Sequence, residues 1–315
     1  MRYRPLGNSG LIVSVVGLGG NNFGRRLDVE QTRAVVDAAM DAGVTLLDTA
    51  DAYGGQGRSE EILGAVLAGR RDQVVLATKF GAQNADMGYG PAAGAKGGRS
   101  YIRRAVEQSL RRLRTDYIDL YQIHAPDPVA PIEETISALT ELVRAGLVRY
   151  LGHSNFSAVQ IAAAAAAARQ LTAEPFVSAQ NHWSLLERGV ELDVVPAARQ
   201  FGLGVLPYFP LANGLLTGKV RRGVPPAEGT RLAGRAEYIT EGKLDKVEAL
   251  AEWSQQHGRT MLEVAIGGLA ALPGCTSVIA GATSADQVRS NAAAGEWVPE
   301  PSEVAEVDKI TATPA

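Results

Sequence analysis

The chain has 315 residues, 46% hydrophobic and 21% charged, which is the balance of a globular protein long enough for one large α/β domain or two smaller ones. A formal net charge of −3 gives no broad cationic field, and no cluster of Lys and Arg interleaved with aromatics follows a phosphate backbone, so nucleic acid is excluded as a partner. The single Cys275 rules out an internal disulfide framework, the start MRYRPLGNSG lacks the apolar stretch of a signal peptide, and no run approaches the roughly 18 apolar residues of a membrane span; the expectation is a cytoplasmic protein with no membrane partner.

The first element in chain order is YRPLGNSGLIVS. Its two short extended pieces around Gly7-Asn8-Ser9-Gly10 predict a β-hairpin, placed to close the bottom of a barrel. From there short β-branched runs alternate with longer helical patterns. VSVVGLG reads as a strand, and DVEQTRAVVDAAMDAG as a helix with an acidic start and a glycine stop. VTLLDT and VVLATK come next as strands, then SYIRRAVEQSLRRL as a helix with Ser100 as its candidate cap. YIDLYQIH and VRYLGHS are the next strands, and SAVQIAAAAAAARQL is a helix whose alanine run has the highest helix propensity available. VSAQN, GVLPY and SVIAG complete a set of eight strands, each but the seventh followed fairly directly by a helical segment. That alternation predicts a closed parallel (β/α)8 TIM barrel rather than an open doubly wound sheet, in one domain over residues 1–315 with the hairpin at its N-terminus. Two Gly- and Pro-rich segments lack a regular pattern: GAQNADMGYGPAAGAKGGRS after the third strand and RRGVPPAEGTRLAGRAEYITEGK after the seventh. Loops of that length inside a compact domain serve as lids or binding loops. The tail after GEWVPEPSEV is expected to form one last helix and to leave little chain to cover a pocket.

In a (β/α)8 enzyme the site is built where the strands end. Asp48 ends the second strand and Tyr53 lies in the loop behind it; Lys79 ends the third, His124 the fourth, Ser154 and Asn155 the fifth, Gln180 the sixth and Tyr208 the seventh. A solvated loop or a surface ion pair explains any one of these, but not successive strands that all stop on polar groups. A phenol with an unperturbed pKa of about 10 becomes a usable general acid or base beside an ammonium, so Lys79 is expected to lower the Tyr53 pKa toward the working range. Asp48 pairs with Lys79 and orients it, and His124 binds a substrate oxygen between itself and the phenol. Such a set delivers a proton to a carbonyl oxygen as a hydride arrives. With only four histidines, no HExxH and no CxxC, no metal site is expected.

Over nearly its whole length the chain resembles the aldo-keto reductase superfamily. The stretches that carry the resemblance are RPLGNSGLIVS, GVTLLDTADAYGGQGRSEEILG, VVLATKFG, RTDYIDLYQIHAPDP, RYLGHSNFS, AQNHWSLLER, PYFPLANGLLTGK and VIAGATSADQV; the first two and GHSNF are highly specific in combination. The resemblance implies NAD(P)H-dependent reduction of aldehydes or ketones by hydride transfer, with Asp48, Tyr53, Lys79 and His124 as a catalytic tetrad and Tyr53 as general acid. It places Ser154, Asn155 and Gln180 on the nicotinamide carboxamide, Tyr208 against the nicotinamide ring, and Leu211, Asn213, Gly214 and Lys219 along the pyrophosphate. Gly20 and Asn21, after Gly19, line the ribose and substrate unless the glycines serve only a tight turn, and Asp48 is counted among the cofactor contacts. Thr283 and Ser284 are candidate caps of a helix whose free N–H groups suit an anion, and Asn291 on that helix joins the cofactor set. No GxGxxG opens a βαβ unit, so a Rossmann domain is not the cofactor module.

Departures from the family pattern fall at the cofactor's 2'-phosphate. Where many members carry a Lys and an Arg this chain has Gly281 and Gln287, which weakens the preference for NADPH and leaves NADH as the alternative; Arg289 is a second candidate cation. Trp183 and Phe209 replace Tyr and Ser and are expected to reshape the packing around the cofactor, while His153 reads as packed structure. The substrate surface is assigned to the loop before Ser100, the segment around Asn22 and Phe23, and the region between Lys219 and Lys243. Two alternatives stay open. Lys79 at a strand end suits a Schiff-base aldolase, and the potassium-channel β subunits of the same superfamily suggest a cofactor-binding regulatory module.

Overall fold

The structure, a computed structural model, describes residues 1–233 and 235–312. Tyr3–Pro5 (β1) and Ile12–Ser14 (β2) pair antiparallel through Tyr3↔Ser14, Arg4↔Val13 and Pro5↔Ile12. The hairpin turns Leu6, Leu11 and Val13 inward, where they pack with Leu46, Leu120, Leu206 and Ile279 from the barrel interior. Its tip needs glycine. Gly7 has φ +56°, and a Cβ there would stand 2.4 Å from the Gly202 carbonyl oxygen and 2.6 Å from that of Val177. The expected plug at the bottom of the barrel is present.

Eight parallel strands close the barrel: β3 (Val16–Gly19), β4 (Leu46–Asp48), β5 (Val75–Phe80), β6 (Ile118–Ile123), β7 (Val148–Ser154), β8 (Phe176–His182), β9 (Gly204–Tyr208) and β10 (Val278–Gly281), with β10 returning to pair with β3. These are the apolar, β-branched runs that a sheet covered on both faces requires. Closure is by four register pairs from Val278↔Val16 to Gly281↔Gly19, and by Ile279↔Tyr208 on the other side.

Outside the barrel run α1 (Val29–Asp41), α2 (Arg58–Val66), α3 (Arg99–Leu113), α4 (Ile132–Arg144), α5 (Ala158–Leu171), α6 (Val194–Gln200) and α7 (Glu241–Gln256). The next segment joins α8 (Met261–Glu263), a π-helical stretch (Val264–Gly268) and α9 (Leu269–Ala271), and α10 (Ala285–Ala294) and α11 (Pro301–Thr311) complete the set. Local chemistry sets several starts: Asp28 with Gln31, and Ser157 with Gln160, form reciprocal capping boxes at α1 and α5. Ser100 does not cap α3. The helix begins one residue earlier, Gly98 takes the cap position, and Glu134 of α4 accepts the Arg99 N–H at 2.9 Å, a long-range partner that replaces a local one. The last helix begins at Pro301, inside the PSEV stretch, and docks through Trp253 Nε1 to Glu306 at 2.7 Å and Arg188 to Asp308 at 2.7 Å.

Both long segments are largely irregular. Residues 81–98 hold one short 3-10 turn, Pro91–Ala93, and are gathered by Lys96, whose ammonium donates to the carbonyls of Ala82, Gln83 and Ala85. The segment before α7 carries the 3-10 turn Ala236–Tyr238. Among the described residues no helix is long and apolar enough to cross a membrane.

Candidate active site

The ends of β4, β5 and β6 bring four polar side chains together. Lys79, fully buried on β5, donates from Nζ to Asp48 Oδ2 at 2.6 Å and to the Thr49 carbonyl at 2.9 Å. An ammonium has three N–H donors, so one is left over. Nζ stands 5.0 Å from the centre of the Tyr53 ring, and the His124 ring meets that ring edge-on at 5.7 Å and 81°. Asp48, Tyr53, Lys79 and His124 therefore do meet, as their places at the strand ends suggest.

The turn after β4 explains how Tyr53 reaches this position. Thr49 Oγ1 bonds Ser59 Oγ at 2.7 Å, Ser59 Oγ donates to the Gly20 carbonyl at 2.9 Å, and the Ser59 N–H returns to the Tyr53 carbonyl at 3.1 Å. This staple folds the glycine-rich stretch back over the barrel rim. Gly57 in that stretch has φ +90°, and a Cβ there would fall 2.2 Å from Arg112 Nε, so only glycine lets the arginine pass behind the loop.

Electrostatics of the set depart from expectation in one respect. Burial raises the Tyr53 pKa above the ordinary phenol value; Lys79 pulls it down, as expected, but does not win, and Asp48 adds to the rise. Desolvation acts on the whole phenolate, whereas Lys79 spends much of its charge on Asp48. Burial alone would lower the Lys79 pKa, but Asp48 and then Tyr53 hold it above its ordinary value. Burial and Lys79 depress His124 to about 3, and its buried Nδ1 has no hydrogen-bond partner among the described residues. The site at neutral pH is thus a protonated phenol, an ammonium paired with Asp48, and a neutral imidazole.

Two groups here carry no signal of their own in the strand-end pattern. Gln122, fully buried on β6, donates to Asp48 Oδ1 at 3.2 Å, and Gln180 donates to the same oxygen at 2.9 Å and to Gln122 Oε1 at 3.4 Å. A buried ion pair needs such extra hydrogen bonds to offset the loss of water. The two-residue period of a strand was the available clue to Gln122, since it puts that residue on the inward face with His124. Arg231, from the irregular segment after β9, lies 4.9 Å over the Phe209 ring and donates to Asn21 Oδ1 at 3.4 Å. Burial, and then the neighbouring Arg26, Arg235 and Arg25, lower its pKa. No periodicity marks such a residue.

The remaining expected contacts fall on the same rim in different states. Ser154 Oγ donates to the Gln180 carbonyl at 2.8 Å; Asn155, at φ +62°, donates to the His124 carbonyl at 2.9 Å and accepts from the Tyr208 hydroxyl at 2.9 Å. One face of Tyr208 is covered by His182, stacked at 5.4 Å and 9°, and Phe209 meets it edge-on at 5.1 Å. Gly20 N–H donates to the Asp48 carbonyl at 2.7 Å, beside Asn21. After Leu211 the chain makes a 3-10 stretch, Ala212–Thr217, in which Asn213 and Gly214 take left-handed φ of 60° and 115°; Lys219 beyond it is exposed. Gly281 ends β10, with only Asn21 and Asn22 near where a Cβ would sit.

Ser284 caps α10, whereas Thr283 uses its N–H and hydroxyl to hold Gln287 Oε1 at 2.8 and 3.2 Å. Asn291 is buried on α10, and Arg289 pairs on the surface with Asp286 at 2.8 Å. Trp183 is turned into the core and bonds Glu191, and His153 is buried between Phe156 and Phe176. Among the described residues no three His, Cys, Asp or Glu are grouped to hold a metal ion.

The model of the Aldo/keto reductase family matches residues 15–312. The chain is 39% identical to an uncharacterized oxidoreductase, YrpG, of Bacillus subtilis, over 94% of this chain and 91% of that protein. It is 36% identical to a probable voltage-gated potassium channel subunit beta of Oryza sativa, over 95% and 92% of the two chains. It is 34% identical to the L-glyceraldehyde 3-phosphate reductase of Escherichia coli, over 92% and 86%.

Proposed function

The chain belongs to the Aldo/keto reductase family, and from that premise we propose that it reduces an aldehyde or ketone to an alcohol with a nicotinamide cofactor, Tyr53 serving as general acid. The observation that carries this reading is the buried Lys79–Asp48 pair set beside a protonated phenol and a neutral imidazole. The nicotinamide, when bound, supplies the hydride. His124 and Tyr53 hold the substrate's carbonyl oxygen between them, and the Tyr53 proton passes to that oxygen as the carbonyl carbon is reduced. Lys79 stabilises the phenolate left behind, and Asp48 keeps Lys79 charged and in place.

The rim fits such a cofactor. Gln180 commits its amide nitrogen to Asp48, so its carbonyl oxygen is the atom offered to a carboxamide, with Ser154 and Asn155 alongside. Tyr208, backed by His182 on one face, offers the other to a planar ring. Gly20 and Asn21 serve the ribose, and Leu211, Asn213, Gly214 and Lys219 the pyrophosphate, with Arg231, over Phe209 and beside Asn21, as a cation for the same phosphates. Gly281, Thr283, Gln287 and Asn291 face the adenosine end, where no cation is committed to a 2'-phosphate, because Arg289 is engaged by Asp286. NADPH is the proposed cofactor, with NADH accepted.

The rice relative, a probable channel subunit, gives the regulatory reading an observation of its own. Turnover decides between them: aldehydes and ketones are screened with NADPH and NADH at the nicotinamide absorbance, and Tyr53→Phe is compared with wild type. Tyr53→Phe is expected to lower reduction by about 100- to 10,000-fold while cofactor binding survives. Wild-type turnover in Tyr53→Phe would overturn the assignment, and tight cofactor binding with negligible turnover in both forms would favour the regulatory module. The aldolase reading loses ground because Lys79 is held protonated in a buried ion pair, the opposite of a nucleophilic amine.

A further inference from the structure

On the outside of the barrel, α2 and the end of α3 flank a cleft of about 340 Å³ that also reaches Val29 at the start of α1. Arg58, Arg111, Arg112 and Arg114 line it with a single acidic residue, Glu61, and with Ile62 and Ala65 as apolar lining. Two of these cations are spoken for: Arg58 pairs with Glu61 at 2.8 Å, and Arg112 Nε with the buried Glu60 at 2.7 Å. Arg111 and Arg114, both exposed, make no side-chain hydrogen bond or ion pair among the described residues; they stand between this cleft and a neighbouring hollow that holds Asp72 and Asp116. Arg111 and Arg112 lie in the last turn of α3, where cations suit the carbonyl end of the helix. That partial charge is too small to use up two guanidinium groups. Arg114, at the left-handed C-cap (φ +53°), follows directly on that turn and lines the same cleft.

We propose that this cleft is a binding site for a small phosphate-bearing anion, gripped by Arg111 and Arg114 with Arg112 behind them. Planar guanidinium groups match phosphate oxygens two at a time, and the two unpaired ones, Arg111 and Arg114, beside the engaged Arg112 give an arrangement that surface lysines would not. The volume suits a compact polyanion rather than a polymer. The site is also connected to the chemistry: the Arg112 side chain lies against the Gly57 backbone, four residues after Tyr53, and its partner Glu60 accepts from Thr78, the neighbour of Lys79.

Inorganic pyrophosphate is the probe, added to protein saturated with NADPH so that the cofactor's own phosphate site is filled. Titration calorimetry is expected to show one further site, weakened by rising salt, and the thermal midpoint is expected to rise with pyrophosphate. Arg111→Gln with Arg114→Gln removes two guanidinium contacts and should weaken pyrophosphate by at least about 30-fold while NADPH affinity and basal turnover stay unchanged. The single variant Arg111→Gln should fall between the two. No heat of binding on the NADPH-saturated wild type, or equal pyrophosphate affinity in wild type and the double variant, overturns the proposal.

Discussion

Asp51, two residues before Tyr53, is fully buried, and neither of its carboxylate oxygens has a hydrogen-bond partner among the described residues. Glu60, Arg112 and Lys96 are the charges near it, and the hydroxyls of Tyr89, Tyr101 and Tyr121 close by are also buried and unpartnered. Burial first, and then Glu60, raise its pKa from the ordinary 3.8 to about 7, with Arg112 pulling the other way. Asp51→Asn keeps the shape and removes the ionisation. From 3.8 to about 7 is roughly three pH units, each about 1.4 kcal/mol, so the ionised carboxylate costs folding up to about 4 kcal/mol. The folded-state pKa of this acid lies above its unfolded value, so the native state keeps the proton longer. Stability therefore falls as pH rises from about 4 through about 7, and the full cost is present above that. Urea unfolding at three pH values checks this: Asp51→Asn is expected to be more stable than wild type by about 2–4 kcal/mol at pH 8.5, with the gap shrinking to about 1–2 kcal/mol near pH 5. A gap that does not change with pH, or an Asn variant less stable at pH 8.5, would refute the reasoning and mean that the carboxylate is partnered in solution.

Lys79→Met leaves Asp48 as an uncompensated buried charge and removes the group that pulls the Tyr53 pKa down, so it should cost about 3–5 kcal/mol of stability and depress single-turnover reduction as well. Arg231→Leu, which keeps apolar contact with Phe209 but loses the cation, is expected to weaken cofactor binding by roughly 10-fold or more and to flatten its salt dependence, read by quenching of intrinsic Trp fluorescence. Titration of both cofactors should show NADPH favoured over NADH by a factor on the order of ten, because one missing cation contact to phosphate is worth about 1–3 kcal/mol; a preference of several thousand-fold would show that Arg231 or Arg289 has taken over the 2'-phosphate.

What the amino-acid sequence settled alone is what repeats over a few residues. Apolar runs of strand length, helices with their own caps at Asp28 and Ser157, and a polar residue at the end of strand after strand are local patterns, and all eight barrel strands lie where those patterns put them, with Asp48, Tyr53, Lys79 and His124 brought together at their ends. Tertiary structure decided whatever is a sum over distant parts of the chain. Asp48 owes its hydrogen bonds to Gln122 and Gln180, which lie 74 and 132 residues away, and the start of α3 was taken from Ser100 by a glutamate on the next helix. Arg231 reaches Asn21 across 210 residues from a segment with no periodicity. The Tyr53 pKa shows why the division falls there: a nearby ammonium can be read from spacing, but desolvation depends on every atom packed around the phenol, and that packing is assembled only when the barrel closes.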